Sequence, residues 1–188
     1  MLPKYYTGVG SRDVSEDEWN LMVGIGKWLA NKGYWLRSGK AEGSDSAFEF
    51  GVSQSDNVDN KEIYIPWATF KGNHLDGETI PLGGPTTDNF AISSDWVRRI
   101  HRYPDGLKQG AFKLHQRNIH QVLGRDLTTP NPSTFLLACS DLEDDFETPK
   151  GGTRTAWVLA KHFGVPCLNV RCKTKKEIFE WLKQFVDV

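Results

Sequence analysis

Short apolar runs alternate with longer amphipathic stretches along the 188-residue chain. Five runs have the length and composition of buried strands, at residues 5–8, 34–37, 61–67, 133–139 and 165–170. Pro66 should end the third run, because proline cannot donate to a sheet ladder. The stretches between the runs carry apolar residues at the spacing of helices. Strands that alternate with helices predict an α/β domain with a mostly parallel sheet and helices on both faces.

The helical stretches carry recognisable boundary signals. Ser15 followed by Glu18 is a capping-box pattern, and Gly33 is placed to end the helix that follows. Residues 107–123 predict a second long helix, and residues 173–186 predict a last one. The residues of the last helix that should face inward are Ile178, Phe179, Trp181, Leu182 and Phe185.

Residues 68–106 are the least regular part of the chain, because they contain several glycine and proline turn signals. A long stretch without clear elements is usually a lid, a binding loop or a disordered insert. The aromatic residues in or beside it are Trp67, Phe70 and Trp96, and they could stack on a base or cover the sheet. The expectation is one domain over residues 1–188 with an irregular insert around 68–106.

Composition narrows the class of protein. The chain is 38% hydrophobic and 25% charged, with a formal net charge of -1, which argues against a general electrostatic grip on nucleic acid. The chain has an odd number of cysteines, namely Cys139, Cys167 and Cys172. This number favours free thiols in a reducing compartment. No apolar run approaches the ~20 residues that span a bilayer, so a cytoplasmic protein without membrane contact is expected.

Three glycine-rich loops each connect a predicted strand to a predicted helix. The first spans residues 8–12 and offers Gly8, Gly10, Ser11 and Arg12 to a ligand. Glycine allows the backbone to approach the ligand closely, and the arginine fork suits a phosphate. The alternative for Arg12 is a surface ion pair with Glu16 or Asp17.

The second loop adds carboxylates to the predicted site. Ser38, Gly39 and Gly43 place backbone amides at a helix start, which favours an anion. The carboxylates nearby are Glu42, Asp45 and Glu49, and they would repel a phosphate. They are better suited to ribose hydroxyls, helix capping, or acid–base catalysis.

The third loop, residues 149–156, has Gly151, Gly152 and Thr153 between a strongly apolar strand and a helix. It is either an anion site or an ordinary strand-to-helix connection. In the preceding helix Arg117 and Asn118 are further candidates for ligand contact, and His115 shares a face with Asn118. The histidines lack the four-residue spacing of a helical zinc site, so neither a metal nor another cofactor is expected.

With these loops in order, the chain resembles the SMF/DprA–LOG (SLOG) superfamily of Rossmann-like domains, which bind nucleotides or nucleotide-sugar ligands. The second loop is similar to that of the DNA-processing, DprA-type branch. Residues 114–118 and the late Gly-Gly-Thr loop resemble small DprA-like proteins of bacteria and phages. The resemblance covers most of the chain and implies a cleft at the carboxyl edge of the sheet. It also implies a homo-oligomer, since relatives commonly pair through helices beside the site.

The LOG branch cleaves the N-glycosidic bond of nucleoside 5′-monophosphates. By this resemblance, Arg117 matches a helical arginine of that branch, and Gly151, Gly152 and Thr155 match its phosphate-binding positions. The chain departs from the pattern at Arg154, where a glycine is expected, and at Val158, where the catalytic glutamate is expected. Because valine cannot polarise water, hydrolysis would need Glu42, Asp45 or Glu49 instead.

Three functions follow as hypotheses. The first is an enzyme that hydrolyses the N-glycosidic bond of a nucleotide, with Arg117 and a second-loop carboxylate in the reaction. The second is a nucleotide sensor or sponge that binds in the same cleft without turnover. The third is a DprA-like mediator that binds single-stranded DNA, which the net charge of -1 disfavours.

Overall fold

A computed structural model of the protein describes residues 1–72 and 76–188. Within these residues the strands are β1 Lys4–Gly10, β2 Tyr34–Ser38, β3 Lys61–Ile65, β4 Thr79–Pro81, β5 Phe135–Cys139 and β6 Cys167–Asn169. The α-helices are α1 Glu16–Asn31, α2 Ser44–Ser53, α3 Asp88–Ile100, α4 Gln109–Leu123, α5 Thr153–His162 and α6 Lys175–Leu182. The sequence therefore predicted five of these strands and all of the helices except α3.

The strands form one parallel sheet in the order β4-β3-β2-β1-β5-β6. The chain moves outward from β1 to β4 and then returns to lay β5 on the other side of β1. The carboxyl ends of β1 and β5 therefore flank the point where the strand order reverses. In open α/β sheets, the crevice at this point is where ligands bind.

Helices cover both faces of the sheet, as predicted for a Rossmann-like α/β fold. On one face α1, α2 and α6 pack on the sheet around Tyr6, Phe48 and Phe135. On the other face α3, α4 and α5 enclose a second core around Leu136 and Ile119. The central strands are thus buried on both faces, which explains why β5 is a continuous apolar run.

Local signals in the sequence set several element boundaries. The Ser15 hydroxyl accepts from the Glu18 amide at 3.1 Å, and the Glu18 carboxylate accepts from the Ser15 amide at 3.0 Å, so the capping box is confirmed. β3 ends at Ile65, directly before Pro66. In α6, Ile178 and Leu182 are buried, but Phe179 is 42% exposed and packs on Trp28. The inward placement of Phe179 is therefore wrong.

The predicted insert is more regular than expected. It contains the edge strand β4 and the helix α3, which follows Thr87 as its N-cap. Residues 73–75 within it lie outside the described part of the chain. No helix of the described chain has the length and hydropathy needed to cross a membrane.

Candidate functional site

A cleft of about 540 Å³ opens where the strand order reverses, between the carboxyl ends of β1 and β5. Its walls come from the β1–α1 loop, the start of α2, one face of α4 and the β5–α5 loop. The predicted ligand residues that line it are Gly10, Ser11, Arg12, Asp45, Arg117, Asn118, Gly151, Gly152 and Thr153. The structure therefore brings all three glycine loops and the arginine helix to one cavity.

The start of α5 supplies unpartnered backbone amides to this cleft. Gly151 adopts a left-handed φ of 66°, which glycine tolerates without strain, and Gly152 is already helical. The amides of Gly151, Gly152 and Thr153 have no hydrogen-bond acceptor among the described residues. No side chain caps α5. Adjacent amides at a helix start form an anion site, and the exposed Lys150 stands beside them.

The first two loops are locked together behind the cleft. The Ser44 amide and hydroxyl both donate to the Ser11 carbonyl, at 3.0 and 2.9 Å. A Cβ on Gly43 would lie 2.4 Å from the Arg12 carbonyl oxygen, and one on Gly10 would lie 2.4 Å from the Cys139 carbonyl oxygen. Gly10 and Gly43 are thus required for the close contact between loops.

Arg117 and Asn118 link α4 to the second and third loops and to the end of β3. The buried Arg117 donates from Nη1 to the carbonyls of Gly39 and Tyr64, and from Nε to the Asn118 Oδ1 at 2.9 Å. Asn118 in turn donates to the Gly152 carbonyl at 3.1 Å. Burial lowers the pKa of Arg117 to about 10, with Asp45 opposing the shift, so the guanidinium is charged at neutral pH. Its Nη2 has no acceptor within the described chain.

Asp45 is the one of the three predicted catalytic carboxylates that lines the cleft. It is 4% exposed and accepts a hydrogen bond from the Ala41 amide at 3.2 Å. Burial raises its pKa to about 6, although the charge of Arg117 works in the other direction. A carboxyl with this pKa can hold or release a proton near neutral pH, as acid–base catalysis requires.

The other two carboxylates lie outside the cavity. Glu42 is exposed and pairs with Lys71 at 3.1 Å, and Glu49 pairs with Lys40 at 3.2 Å and Lys61 at 3.6 Å. Both therefore form ion pairs outside this cleft rather than meeting a ligand in it.

The remaining predicted residues lie behind the cavity wall. Gly8 lies under Phe48, where a Cβ would approach the ring to 2.8 Å, and the Ser38 hydroxyl donates to the Gly8 carbonyl at 2.6 Å. The Gly39 carbonyl accepts from Arg117, and Gly43 holds the first two loops together. Their contacts support the cleft from outside its surface.

Thr155 lies in the first turn of α5, and Val158 lies in the turn that follows. The buried Thr155 hydroxyl contacts His115 Nδ1 at 2.7 Å and does not line the cleft. Val158 is half-buried and also lies outside the lining. The helix position at which the LOG pattern has its glutamate therefore does not reach the cavity here.

Several lining residues were not predicted as ligand contacts. They include Asp13, His115, Gln121, Ser140, Asp141 and Lys150. His115 could have been found, because it precedes Asn118 by three residues and so shares its face of α4. Burial, together with His101 and Arg117, lowers the pKa of His115 to about 4, so its imidazole is neutral at neutral pH.

The aromatic residues around the insert do not line the cleft. Trp96 packs on His162 and Phe163, with ring centroids 5.1 and 5.5 Å apart, which supports covering rather than base stacking. Phe70 is buried under the Arg117 guanidinium, and Trp67 packs edge-on against Phe70. Among the described residues no group of three histidine, cysteine or carboxylate side chains could hold a metal ion.

A comparison with a solved structure supports the fold. No protein-family model and no curated protein matches the chain. The Moco carrier protein of Chlamydomonas rheinhardtii superposes with a TM-score of 0.50 at 13% identity, over 98% of this chain and 84% of that one. DNA processing protein A from Helicobacter pylori, with its single-stranded DNA binding mode, gives 0.48 at 16% identity, over 88% of this chain and 64% of that one.

Proposed function

We propose that the protein is a SLOG-type domain that binds a nucleotide or nucleotide-sugar, with a phosphoryl group at the start of α5. The observation that carries this proposal is the set of unpartnered amides at Gly151, Gly152 and Thr153, three residues that line the cleft. Lys150 and Arg12 add positive charge at the rim. A doubly charged phosphoryl group satisfies the amides and complements both cations.

The ligand's remaining parts have room on both sides of the phosphoryl group. Inward lie Asp45, Arg117 and Gln121, whose polar groups suit a ribose or a base edge. Outward, past Lys150 and Gly151, a second cavity of about 590 Å³ is lined by Arg102 and acidic side chains. Glu143 pairs with Arg102 and Asp145 accepts from Thr148, whereas Asp144 has no hydrogen-bond partner among the described residues. Asp144 could accept from a hydroxyl of a second sugar, as in a nucleotide-sugar.

A second candidate function is hydrolysis of the ligand's N-glycosidic bond. Asp45 supports it, because a buried carboxyl with a pKa raised to about 6 can take a proton from an attacking water. The water oxygen would bond to the sugar carbon as the C–N bond breaks, and the proton taken by Asp45 would pass to the departing base. The valine at position 158 and the Moco carrier protein, named for carrying its ligand, instead favour binding without turnover.

A panel experiment tests binding and turnover together. Nucleoside 5′-monophosphates, dinucleotides and nucleoside diphosphate sugars are incubated with the protein, and both thermal stabilisation and base release are measured. We expect stabilisation by phosphorylated ligands and none by the matching nucleosides. Lys150→Ala should weaken binding about two- to fivefold, because an exposed charge pair contributes up to about 1 kcal/mol, while the exposed Lys176→Ala on α6 serves as its matched control.

The outcomes separate the hypotheses. Equal stabilisation by nucleosides and nucleotides would contradict the placement of the phosphoryl group. Base release that disappears in Asp45→Asn would establish hydrolysis, whereas stabilisation without base release would establish a sensor or sponge.

A further inference from the structure

The contact between His115 on α4 and Thr155 on α5 has a defined direction. The His115 Nδ1 and the Thr155 Oγ1 are 2.7 Å apart, and Thr155 is 1% exposed. Either the imidazole donates from Nδ1 to the hydroxyl, or the hydroxyl donates to an unprotonated Nδ1. The two arrangements put the ring hydrogen of a neutral histidine on different nitrogens.

Counting hydrogen-bond acceptors decides between them. If His115 donated, the Thr155 hydroxyl hydrogen would need an acceptor of its own in a buried place. In the described chain Thr155 makes no side-chain hydrogen bond except the one to His115, and it does not bond back to the Gly151 carbonyl one turn earlier. A buried donor without a partner costs about 1–3 kcal/mol. The hydroxyl therefore donates to Nδ1, and the ring hydrogen lies on Nε2.

The neutral ring follows from its surroundings. Burial, His101 and Arg117 all lower the pKa of His115, to about 4. The nearby start of α5 carries partial positive charge and disfavours an imidazolium in the same way. The neutral ring has one nitrogen-bound hydrogen, so the tautomer fixed by Thr155 determines whether Nε2 is a hydrogen-bond donor or an acceptor.

The position of the ring determines which groups the Nε2 hydrogen can reach. His115 lines the cleft, and its Nε2 has no partner among the described residues. Thr155 lies in the first turn of α5, and Asn118, on the same face of α4 as His115, contacts the Gly152 carbonyl. The ring therefore stands beside the unpartnered amides of Gly151, Gly152 and Thr153.

We propose that Thr155 holds His115 in the Nε2–H tautomer, and that His115 donates this hydrogen to an oxygen of the phosphoryl group at the start of α5. The second half of this inference rests on the proposed function. Thr155 is thus a positioning residue that acts on the ligand through His115. A neutral donor adds a hydrogen bond to the ligand without adding charge to the cleft.

The tautomer can be measured directly on the ligand-free protein. Nitrogen-15 NMR of histidine-labelled protein distinguishes a ring nitrogen that carries hydrogen from one that does not, and the His115→Gln spectrum identifies the signals of His115. At pH 7 we expect Nδ1 without hydrogen and Nε2 with it. Thr155→Val should convert this single tautomer into a mixture, and Thr155→Ser should restore it. A hydrogen on Nδ1 in the wild-type protein would overturn the inference.

The donor role is tested with inorganic phosphate and one nucleoside monophosphate as probes. His115→Phe should weaken both by about two- to tenfold, the range of one hydrogen bond, whereas His115→Gln retains a donor and should lose less. Thermal unfolding of each variant checks that the fold is intact. Unchanged binding in His115→Phe would overturn the donor role and leave the proposed function standing. Failure of the wild-type protein to bind either probe would overturn both, and the NMR result would still report the tautomer.

Discussion

At the scale of single residues, Asp45 is held where its charged form is disfavoured. Its pKa is raised to about 6 by burial, against about 3.9 for an unfolded chain. Between these values the folded protein retains a proton that the unfolded chain has released, so stability falls as pH rises from about 4 to about 6. Above that window the full cost of the buried charge remains, and it amounts to about 1–3 kcal/mol.

Asp45→Asn should therefore stabilise the protein at pH 8 by about 1–3 kcal/mol and leave stability at pH 4 nearly unchanged. The amide keeps an acceptor for the Ala41 hydrogen bond and cannot ionise. Urea unfolding from pH 4 to pH 8 measures the difference, with the exposed Asp56→Asn as control. Equal pH dependence in the wild-type protein and Asp45→Asn would contradict the raised pKa.

The residues of the site differ in how far the sequence could identify them. The glycine loops and Arg117 can be recognised in the sequence. The loops lie at one edge of the sheet because each follows the carboxyl end of a parallel strand. The role of each carboxylate is not visible in the sequence, since only the folded chain buries Asp45 in the cleft and pairs Glu42 and Glu49 with lysines outside it. The His115–Thr155 contact joins residues 40 positions apart, so no local pattern encodes it.

At the scale of elements, α1 and α2 approach each other through two glycines. A Cβ on Gly26 would lie 2.6 Å from the Phe48 carbonyl oxygen, and one on Gly51 would lie 2.3 Å from the Val23 carbonyl oxygen. Both obstacles are backbone atoms, which cannot turn aside as a side chain could. The separation of the two helices is thus set by the absence of side chains at these positions.

Gly26→Ala should destabilise the protein by about 1–3 kcal/mol, because it overpacks this contact. Gly24→Ala, two residues away in the same helix, should stabilise it by about 0.5–1 kcal/mol, because that position is open and alanine favours helix. Chemical denaturation of both variants provides the comparison. A stabilising effect at both positions would mean that α1 and α2 are farther apart than the distances at Gly26 and Gly51 indicate.

The helix α3 shows where element prediction failed. Its signals were present: Thr87 caps it, and Ile92, Trp96 and Ile100 recur every four residues and pack on the second core. The surrounding turn signals made residues 68–106 look irregular as a whole. β4 is a three-residue edge strand, too short for alternation to identify. The long strands and amphipathic helices of the rest were predictable because burial on both sides of the sheet imposes apolar runs.

At the scale of the whole molecule, the overall charge and the charges at the cleft differ in how they would attract a ligand. The formal net charge is -1, so the protein has no overall attraction for a polyanion. The charges at the cleft are mixed: the cations are Arg12, Arg117 and Lys150, and the carboxyl groups are those of Asp13, Asp45 and Asp141. Under the proposed function, these cations would complement one or two phosphoryl groups. Whether two chains pair beside it, as expected for a homo-oligomer, stays a prediction.

Binding should therefore depend little on salt and not at all on oligonucleotide length. A single-strand binder that neutralises Z phosphates loses affinity with a slope of about -0.7Z in log salt, so a groove for six phosphates would give about -4. For one phosphoryl group in this cleft we expect a slope of about -1 or shallower. Titrations of a nucleoside monophosphate and of 5′-phosphorylated oligonucleotides of increasing length, from 50 to 300 mM salt, measure both dependences. A steep slope with affinity that rises with length would instead support a single-strand DNA mediator, because only contacts along an extended backbone can produce it.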